Sequence, residues 1–468
     1  HKLYAPKGIG MLYVRAGAPF TPLMMGGGQE AGLRSGTENM AGIAALGAVL
    51  AALDDGKTFR SHAELDAFRQ QLSASLARAF PGIVFNMPFD LSLPTTLNFS
   101  VPGLSSKELL DLFDAARVRV SSGSACSAAK ALPSYVLEAM HVPQWRASSA
   151  IRLSFGPLID AATIDAACAR IERCGEALRS SCLLPSALAP SPQDGAQDGI
   201  IQLSVDGQCT WLLSDAASAT CVVIDPAAAL VPRLAAFIGC QQLAVRAIVH
   251  TAAPLDNGAA RLALLQELAI EQVGDVGADG ELALGRQRLR RVDCGDIHVY
   301  LLDQRFAFIG ALAPHAIAPL LDAGLLTPDT VLCAAVDDGS ICGTVRAAQG
   351  GVVPAAELQL DAAGLPAFLR HHPDAVLVDV REAYEHAACA GGVFEGCAVH
   401  SVPLSRLAGQ VGTWLLQPQR PLVFFCRSGN RSARAAACLR RLGHAAAWQL
   451  NGGMAMAEAT HHPLAIAA

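Results

Sequence analysis

Residues 421–434 read Pro-Leu-Val-Phe-Phe-Cys426-Arg-Ser-Gly-Asn-Arg431-Ser-Ala-Arg434. An apolar run of strand character ends at Cys426, a short polar loop with a glycine follows, and a helix is predicted to begin at Arg431. The backbone N–H groups of such a loop and of the helix N-terminus point inward and favour an anion. We expect these groups, with the adjacent Arg427 and Arg431, to lower the pKa of the Cys426 thiol and to stabilise its thiolate or persulfide form.

Two further stretches accompany this loop. Residues 374–386 read Asp-Ala-Val-Leu-Val-Asp379-Val-Arg381-Glu-Ala-Tyr-Glu-His, and residues 450–454 read Leu-Asn-Gly-Gly-Met. Together with the Cys426 loop they resemble the rhodanese sulfurtransferases. The resemblance implies an α/β rhodanese domain over residues 355–468, with Cys426 as the sulfur carrier and with Arg427 and Arg431 as substrate-binding residues. The Asp379 and Arg381 pair is expected to brace the loop rather than to take part in the chemistry.

The length of the loop favours sulfur transfer over phosphate chemistry. Four residues lie between Cys426 and Arg431, whereas the cysteine phosphatases of related fold need one more to encircle a phosphate. The shorter loop suits the smaller sulfur of a persulfide.

Bulk properties describe a globular chain of several domains. The protein has 468 residues, 52% of them hydrophobic and 16% charged, and a formal net charge of −6. Without a basic excess we expect no nucleic-acid partner, and without a basic amphipathic helix no membrane surface. The longest apolar run, residues 41–53, is too short to cross a bilayer and predicts a buried helix.

The 14 cysteines form no CxxC pair and are scattered along a long chain. This pattern differs from a small secreted disulfide framework. We therefore expect a reducing cytoplasmic location, with the cysteines serving mostly as core residues or nucleophiles.

Hydrophobic periodicity and turn signals predict an α/β pattern along the whole chain. Helices are expected over 61–80, 133–140, 160–178 and 431–442. Strands are expected over 8–14, 95–101, 151–155, 200–205, 210–213, 221–224, 247–249, 297–302, 306–309, 375–380 and 422–425.

A second cysteine lies in a run of small residues, Val120-Ser-Ser-Gly-Ser-Ala-Cys126-Ser-Ala. Nothing bulky surrounds this thiol in the sequence, and Ser/Gly segments of this kind form surface loops. A large electrophile could therefore approach it. Taken alone, the pattern is weak evidence for catalysis.

Three more stretches change that interpretation. They are residues 1–14, which begin His1-Lys2-Leu-Tyr-Ala-Pro-Lys-Gly, residues 26–37, which read Gly-Gly-Gly-Gln-Glu-Ala-Gly-Leu-Arg-Ser-Gly-Thr37, and residues 149–154, which read Ser-Ala-Ile-Arg152-Leu-Ser. With the Cys126 stretch they resemble, in the same order, the cysteine desulfurases, which are pyridoxal-phosphate enzymes of the class V aminotransferase type. Residues 1–183 would then be the C-terminal half of such an enzyme, a partial fold-type I transferase.

The resemblance implies a role for each of these residues. Lys2 would carry pyridoxal 5'-phosphate as a Schiff base, and His1 and Thr37 would hold the cofactor's phosphate, Thr37 reaching into the neighbouring subunit of a homodimer. Arg152 would bind the carboxylate of L-cysteine, because a planar guanidinium suits a carboxylate. Cys126 would take the sulfur as a persulfide while alanine is released, on a loop expected to be mobile. The family's groups that stack on the cofactor ring precede the lysine, so we expect a further portion upstream of His1.

Residues 200–350 contain a third resemblance. The stretch Thr210 to Pro226 resembles the opening of a metallo-β-lactamase-type αββα domain. That fold supplies metal ligands after a first histidine, here His250, and again late in the domain. The matching positions hold Ala252, Pro254, Leu255 and Ala311, none of which can donate a lone pair to a metal. We therefore expect no metal and a His250 that serves the core.

Residues 184–199 are rich in Pro, Gly, Ser, Asp and Gln and are expected to form a linker. The resulting hypothesis is a sulfur relay, in which sulfur passes from L-cysteine to Cys126, then to Cys426, and then to a low-molecular-weight thiol or a protein acceptor. An alternative is a rhodanese that uses thiosulfate or a persulfide and is carried on an inactive dimerising scaffold. An iron-dependent persulfide dioxygenase is disfavoured by the missing ligands in the middle of the chain.

Overall fold

The structure is a computed structural model that describes residues 2–122, 134–184, 198–205, 207–252, 258–274, 276, 280–353, 355–389 and 399–461. Its strands form four sheets, and helices cover them in an α/β arrangement. We call residues 2–184 the first region, 198–353 the middle region and 355–461 the last region.

The described residues of the first region form six α-helices and four short strands. They are α1 (Met40–Asp54), α2 (His62–Ala79), β1 (Val84–Phe85), β2 (Thr96–Ser100), α3 (Ser106–Ala115), β3 (Ser121–Ser122), α4 (Tyr135–Ala139), α5 (Gln144–Ser149), β4 (Ile151–Ser154) and α6 (Ala161–Ser180). The sheet is antiparallel in the order β1-β2-β4-β3. Its core joins α2, α3 and α6 to the apolar face of the sheet.

Local sequence signals explain where two of these helices begin. Ser61 and Glu64 form a capping box at α2, and Ser105 and Glu108 form another at α3. In each box the serine hydroxyl accepts the N–H of the glutamate, and the glutamate accepts the N–H of the serine, so two unpaired backbone donors are satisfied. The predicted helices over 61–80 and 160–178 are confirmed by α2 and α6.

The predicted strand over residues 8–14 is wrong. These residues have no strand partner, and Met11, Leu12 and Tyr13 are 69%, 73% and 88% exposed. An extended segment without a neighbouring strand cannot form ladder hydrogen bonds, whatever its apolar content. The apolar run over 41–53 does form a helix, α1, but among its residues only Gly42 is buried, so the expected burial is wrong too.

The middle region is a sandwich of two sheets. Its elements are β5 (Gly199–Val205), β6 (Gln208–Asp215), β7 (Thr220–Ile224), α7 (Val231–Cys240), β8 (Ala244–Val249), α8 (Ala259–Glu267), β9 (Glu281–Leu284), β10 (Gln287–Cys294), β11 (Ile297–Leu302), β12 (Phe306–Gly310), α9 (Ala318–Asp322), β13 (Val331–Ala334), β14 (Gly343–Thr344) and α10 (Val345–Ala348). The sheet orders are β5-β6-β7-β8 and β14-β13-β12-β11-β10-β9.

Alternating apolar side chains give this sandwich its layers. Trp211 and Phe308 meet between the two sheets. The outer face of the first sheet packs on α7 and α8, and the outer face of the second sheet packs on α9 and α10. The expected αββα order of layers is therefore observed. Strand β10 was not predicted, because most of its residues are polar or charged and its sequence therefore lacks a clear alternation of apolar and polar residues.

The last region is a five-stranded parallel sheet with helices around it. Its elements are β15 (Leu358–Leu360), α11 (Leu365–His371), β16 (Val376–Asp379), α12 (Ala383–Ala388), β17 (Val399–Ser401), α13 (Ala408–Leu415), β18 (Leu422–Phe425), α14 (Asn430–Arg441), β19 (Ala447–Leu450) and α15 (Gly453–His461). The strand order is β15-β19-β18-β16-β17. Strand β18 lies at the centre and is buried throughout, as its apolar sequence predicts.

The three regions pack against one another. Tyr384 and Ala388 of α12 belong to the core of the first region, where α12 contacts α3 and α6. Helix α13 contacts β5 and β13 of the middle region. A disulfide joins Cys182, just after α6, to Cys240 at the end of α7, a pair that the cysteine spacing did not predict. Within the described residues, no helix is long and apolar enough to cross a membrane.

Candidate active site

Cys426 follows the last residue of β18 and is 1% exposed. The N–H of Gly429 donates to its Sγ at 3.1 Å, and the hydroxyl of Ser432 lies 3.7 Å from the same atom. Gly429 has a φ of +96° at the N-cap of α14, a conformation that glycine adopts without strain. The strand, the loop and the helix are therefore arranged as the sequence predicts, with a backbone donor directed at the sulfur.

The Leu450 to Met454 stretch closes the loop from the other side. The N–H of Met454 donates to the Cys426 carbonyl at 2.9 Å, and the N–H of Ala455 donates to the Arg427 carbonyl at 3.0 Å. A Cβ at Gly453 would lie 2.2 Å from the Cys426 carbonyl oxygen, so only glycine fits there. This close approach of two backbones explains the paired glycines of the signature.

Arg431 is held by a buried carboxylate. Its guanidinium makes a two-pronged ion pair with Glu385, in which Nη2 donates to Oε1 at 2.7 Å and Nη1 donates to Oε2. The Glu385 side chain is fully buried, and Asp111 Oδ2 lies 3.7 Å from Arg431 Nη2. Burial lowers the pKa of Arg431, but its carboxylate partners outweigh that effect and raise the pKa above its ordinary value. Arg431 therefore remains charged, with its charge balanced by carboxylates.

Arg427 is also paired, through its Nε with Asp114 of α3. The sequence predicted both arginines as groups facing the sulfur and the substrate. The structure instead directs each guanidinium to a carboxylate, and two of the three carboxylates belong to the first region. Sequence reasoning missed Asp111 and Asp114, because no motif links α3 to a loop so distant in the chain. It also missed Glu385, although this residue lies in the 374–386 stretch that accompanies the loop.

Helix α3 presents an acidic face, Glu108, Asp111 and Asp114, to the other two regions. These residues are three apart and therefore lie on one side of the helix. Glu108 pairs with Arg233 of α7 in the middle region. Burial raises the pKa of Asp111 to about 6, and the charges of Glu385 and Asp114 act in the same direction, while Arg431 and Lys107 oppose them. The acidic face thus contacts the Cys426 loop and the middle region at once.

The Asp379 and Arg381 pair is buried at the end of β16. Arg381 Nη2 donates to Asp379 Oδ2 at 2.8 Å, and its Nε donates to the same oxygen at 3.0 Å. His386 Nε2 lies 3.4 Å from that oxygen as well. The two charges satisfy each other, as a bracing role requires.

The residues predicted to hold a cofactor are not gathered in one cavity. Lys2 is exposed beside a cavity of about 230 Å³ whose other lining residues are apolar, and neither Thr37 nor Arg152 lines it. Thr37 is exposed two residues before Asn39, the N-cap of α1. His1 and Cys126 lie outside the described residues.

Arg152 is half-buried in β4, where it pairs in register with Asn98 of β2 and Ser121 of β3. Its neighbours Ile151 and Leu153 face the core, so Arg152 faces away from it. Strand β3 ends at Ser122, four residues before Cys126 in the sequence. The chain therefore enters the Cys126 stretch directly beside Arg152.

His250 follows β8 in the middle region. Its carbonyl accepts the Tyr300 hydroxyl at 3.2 Å, and the nearby half-buried Asp225 accepts the N–H and the hydroxyl of Thr251 at 2.8 and 2.7 Å. Ala252 and Ala311 offer no ligand atom, and Pro254 and Leu255 lie outside the described residues. In the part of the chain that the structure describes, no group of three or more His, Cys, Asp or Glu side chains could hold a metal.

Two of these regions are similar to known protein families. Residues 1–166 match the family described as Aminotransferase class-V, and residues 367–458 match the Rhodanese-like domain. The chain joins a class-V aminotransferase segment to a rhodanese-like domain. A cysteine desulfurase of Gluconacetobacter diazotrophicus is 42% identical over 155 residues, which are 33% of this chain and 38% of the relative. The cysteine desulfurase NifS of Azotobacter vinelandii is 38% identical over 156 residues, again 33% of this chain and 38% of the relative.

The chain therefore spans less than two fifths of the length of these two curated relatives. Among solved structures, a NifS-like protein is 32% identical and covers 37% of this chain and 43% of its own, with a TM-score of 0.30. A metallo-β-lactamase from Staphylococcus aureus is 12% identical and covers 55% of this chain and 99% of its own, with a TM-score of 0.28. A rhodanese-related protein from Thermoplasma volcanium is 25% identical and covers 23% of this chain and 95% of its own, with a TM-score of 0.18.

Proposed function

We propose that the protein is a sulfur-transfer enzyme that takes sulfur from L-cysteine, holds it on Cys126 and passes it to Cys426 for delivery to an acceptor. The observation that carries this proposal is the contact between the acidic face of α3 and the Cys426 loop. The same helix leads through β3 into the Cys126 stretch. In the sequence, a short stretch of chain thus leads from the contact with the Cys426 loop to Cys126.

The side chains proposed for pyridoxal phosphate fit that group in their chemistry. Lys2 provides an amine for the aldehyde, Thr37 a hydroxyl for the phosphate together with His1, and Arg152 a guanidinium for the substrate carboxylate. When bound, pyridoxal phosphate withdraws electrons from the amino acid and weakens its bonds. We also propose a homodimer in which Thr37 serves the neighbouring subunit. The exposed apolar side chains of α1 support such an interface.

Cys126 acts as the first nucleophile in this proposal. Its thiolate attacks the sulfur of the bound L-cysteine, the bond between that sulfur and Cβ breaks, and the remainder of the substrate takes up protons and leaves as alanine. Arg152 keeps the substrate oriented during this step. Cys126 is left with a persulfide.

Cys426 acts as the second nucleophile. Its thiolate attacks the outer sulfur of the Cys126 persulfide, a new S–S bond forms, and Cys126 leaves as a thiolate, so no oxidant is required. The N–H of Gly429 stabilises negative charge on the Cys426 sulfur. Because Cys426 is only 1% exposed, the contact between α3 and the loop must open for the two sulfurs to meet.

A second candidate is a rhodanese that takes sulfur from thiosulfate or a small persulfide, with the first and middle regions as an inactive dimerising scaffold. The specific observation in its favour is that a backbone N–H of the Cys426 loop already donates to the sulfur, whereas neither Thr37 nor Arg152 lines the cavity beside Lys2.

Measuring two products in one reaction of the intact protein distinguishes the two candidate functions. The protein is incubated with L-cysteine and cyanide, and alanine and thiocyanate are measured. The relay predicts both products over many turnovers in the wild type, a single turnover of alanine with little thiocyanate in Cys426→Ser, and neither product in Cys126→Ser. Cys438→Ser is the matched control, because this buried thiol lies in α14 outside the loop. Thiocyanate from thiosulfate without any alanine from cysteine would overturn the relay in favour of the second candidate.

A further inference from the structure

A large cavity lies where the three regions meet. Its volume is about 800 Å³, within the range of small-molecule sites. The first region contributes α3 and α5, the middle region β5 and α7, and the last region α12 and α14. We call it the junction cavity. The proposed sulfur relay assigns no occupant to this cavity, although Asp111 and Arg431 line it.

Three buried hydrogen-bond donors in its lining have no partner among the described residues. They are Ser149 Oγ, Arg233 Nε and Arg434 Nε, one from each region. Ser149 is 3% exposed. Buried donors are almost always satisfied in folded proteins, and each exception calls for a bound group or water. Three such donors around one cavity indicate that an acceptor belongs there.

The charges around the cavity narrow the chemistry of that acceptor. One outer nitrogen of each arginine is already paired, Nη1 of Arg233 with Glu108 and Nη2 of Arg434 with Asp337. The buried Nε–H groups of both have no partner among the described residues, and a guanidinium N–H donates charge-assisted hydrogen bonds to carboxylate oxygens. No carboxylate oxygen is among the unsatisfied buried atoms of the described residues. The unmet requirement is therefore for acceptors alone.

The lining also contains apolar residues, among them Leu203, Leu230 and Ile341, and the acidic residues Glu108, Asp111, Asp337 and Glu382. An inorganic anion would leave this surface uncovered, whereas an organic molecule would cover it. Arg431 also lines the cavity, so an occupant would lie next to the helix that carries the Cys426 loop.

We propose that the junction cavity binds a small organic carboxylate, held by Ser149, Arg233 and Arg434. Such a molecule could be a carboxylate-bearing thiol, in which case it would serve the proposed sulfur transfer as an acceptor, or a carboxylate without a thiol. Binding itself does not depend on sulfur transfer.

Calorimetric titration tests the proposal on the intact Cys426→Ser protein, in which sulfur cannot be exchanged at the loop. The probes are reduced glutathione, S-methylglutathione and citrate. Binding of reduced glutathione but not of citrate supports a thiol-bearing occupant, and equal binding of glutathione and its S-methyl derivative supports recognition by the carboxylates. Absence of heat and of any thermal shift with all three probes at millimolar concentration overturns the proposal.

Two serines provide a matched pair of variants. Ser149→Ala removes an unsatisfied donor and is expected to weaken the binding of the best probe roughly tenfold, the effect of one hydrogen bond to a charged group. It should leave the melting temperature of the ligand-free protein unchanged or higher, because no hydrogen bond is lost. The adjacent Ser148 also lines the cavity, but its hydroxyl already donates to the Trp145 carbonyl at 3.1 Å. Ser148→Ala should keep the wild-type affinity, and equal weakening by both variants would contradict the assignment.

Discussion

The Cys426 loop and the surroundings of Lys2 differ in how each is built. The loop is a contiguous strand, turn and helix at the centre of a parallel sheet, and its donor at 3.1 Å from the sulfur comes from its own backbone. Lys2, Thr37 and Arg152 lie on separate segments, the cavity beside Lys2 is lined by neither Thr37 nor Arg152, and the segment around Lys2 exposes large apolar side chains. The comparison teaches that the Cys426 loop is built by contiguous sequence, whereas no element among the described residues brings these three side chains together.

The largest effect should come from Lys2. In the proposed relay, Lys2→Ala removes the attachment point of pyridoxal phosphate, so alanine formation from L-cysteine should fall to background. The Cys426 loop does not involve Lys2, so thiocyanate formation from thiosulfate should be unchanged. The measurement is the alanine rate together with the mass of the Lys2 peptide after borohydride treatment. If this variant forms alanine at the wild-type rate, Lys2 does not carry the cofactor and the proposed relay is contradicted.

The next largest effect tests the internal support of the Cys426 loop. Glu385→Gln leaves the buried Arg431 guanidinium without its charged partner, and breaking such a pair costs about 3–5 kcal/mol. We expect a matching loss in the free energy of unfolding, measured by urea denaturation. Glu64→Gln is the control, because that carboxylate is half exposed in its ion pair with Arg60 and its loss should cost little. Equal stability of the two variants would show that the loop does not need the buried pair.

Asp111 adds a pH dependence to the contact between the regions. Its pKa is raised to about 6 from an ordinary value of 3.8, chiefly by burial, so the folded protein holds this proton more tightly than the unfolded chain. The contribution of protonated Asp111 to the free energy of unfolding is therefore fully present below about pH 4 and is lost as the pH rises through 6. Asp111→Asn should stabilise the protein above pH 6 by up to about 3 kcal/mol, and the gain should vanish near pH 4. A gain that is the same at both pH values would contradict this account.

The smallest effect concerns the choice of sulfur donor. Asp114 is ion-paired with the Arg427 guanidinium. A small anion such as thiosulfate must therefore compete with the Asp114 carboxylate for Arg427. Asp114→Asn should lower the KM for thiosulfate by roughly tenfold, the effect of one charge-assisted hydrogen bond. Arg119 is the other partner of Asp114 and is 77% exposed. Arg119→Gln should therefore leave the KM unchanged, and a rise in KM for the Asp114 variant would contradict the competition.

These expectations show what local sequence determines here. The strand that ends at Cys426, the capped helices α2 and α3, and the layers of the middle region follow from periodicity, caps and glycines that act over a few residues. The pair between Arg427 and Asp114 spans 313 residues of sequence, and no local pattern specifies such a partner. The apolar run of α1 predicts a helix correctly but not its exposure, because burial depends on what packs against it.

The middle region illustrates the same limit. Trp211 and Phe308 could be assigned to strands from their apolar neighbours, and they meet between the sheets. The convergence of Ser149, Arg233 and Arg434 on one cavity depends on how three regions pack together. Contacts of that kind follow from tertiary structure alone.

The most direct test of the relay is the order in which the two thiols receive sulfur. The intact protein is given a pulse of L-[35S]cysteine and quenched at short intervals, and the label on the Cys126 and Cys426 peptides is counted. The relay predicts label on Cys126 first, transfer to Cys426 afterwards, and no label on Cys426 in Cys126→Ser. Label that reaches Cys426 first, or that reaches it without Cys126, would contradict it.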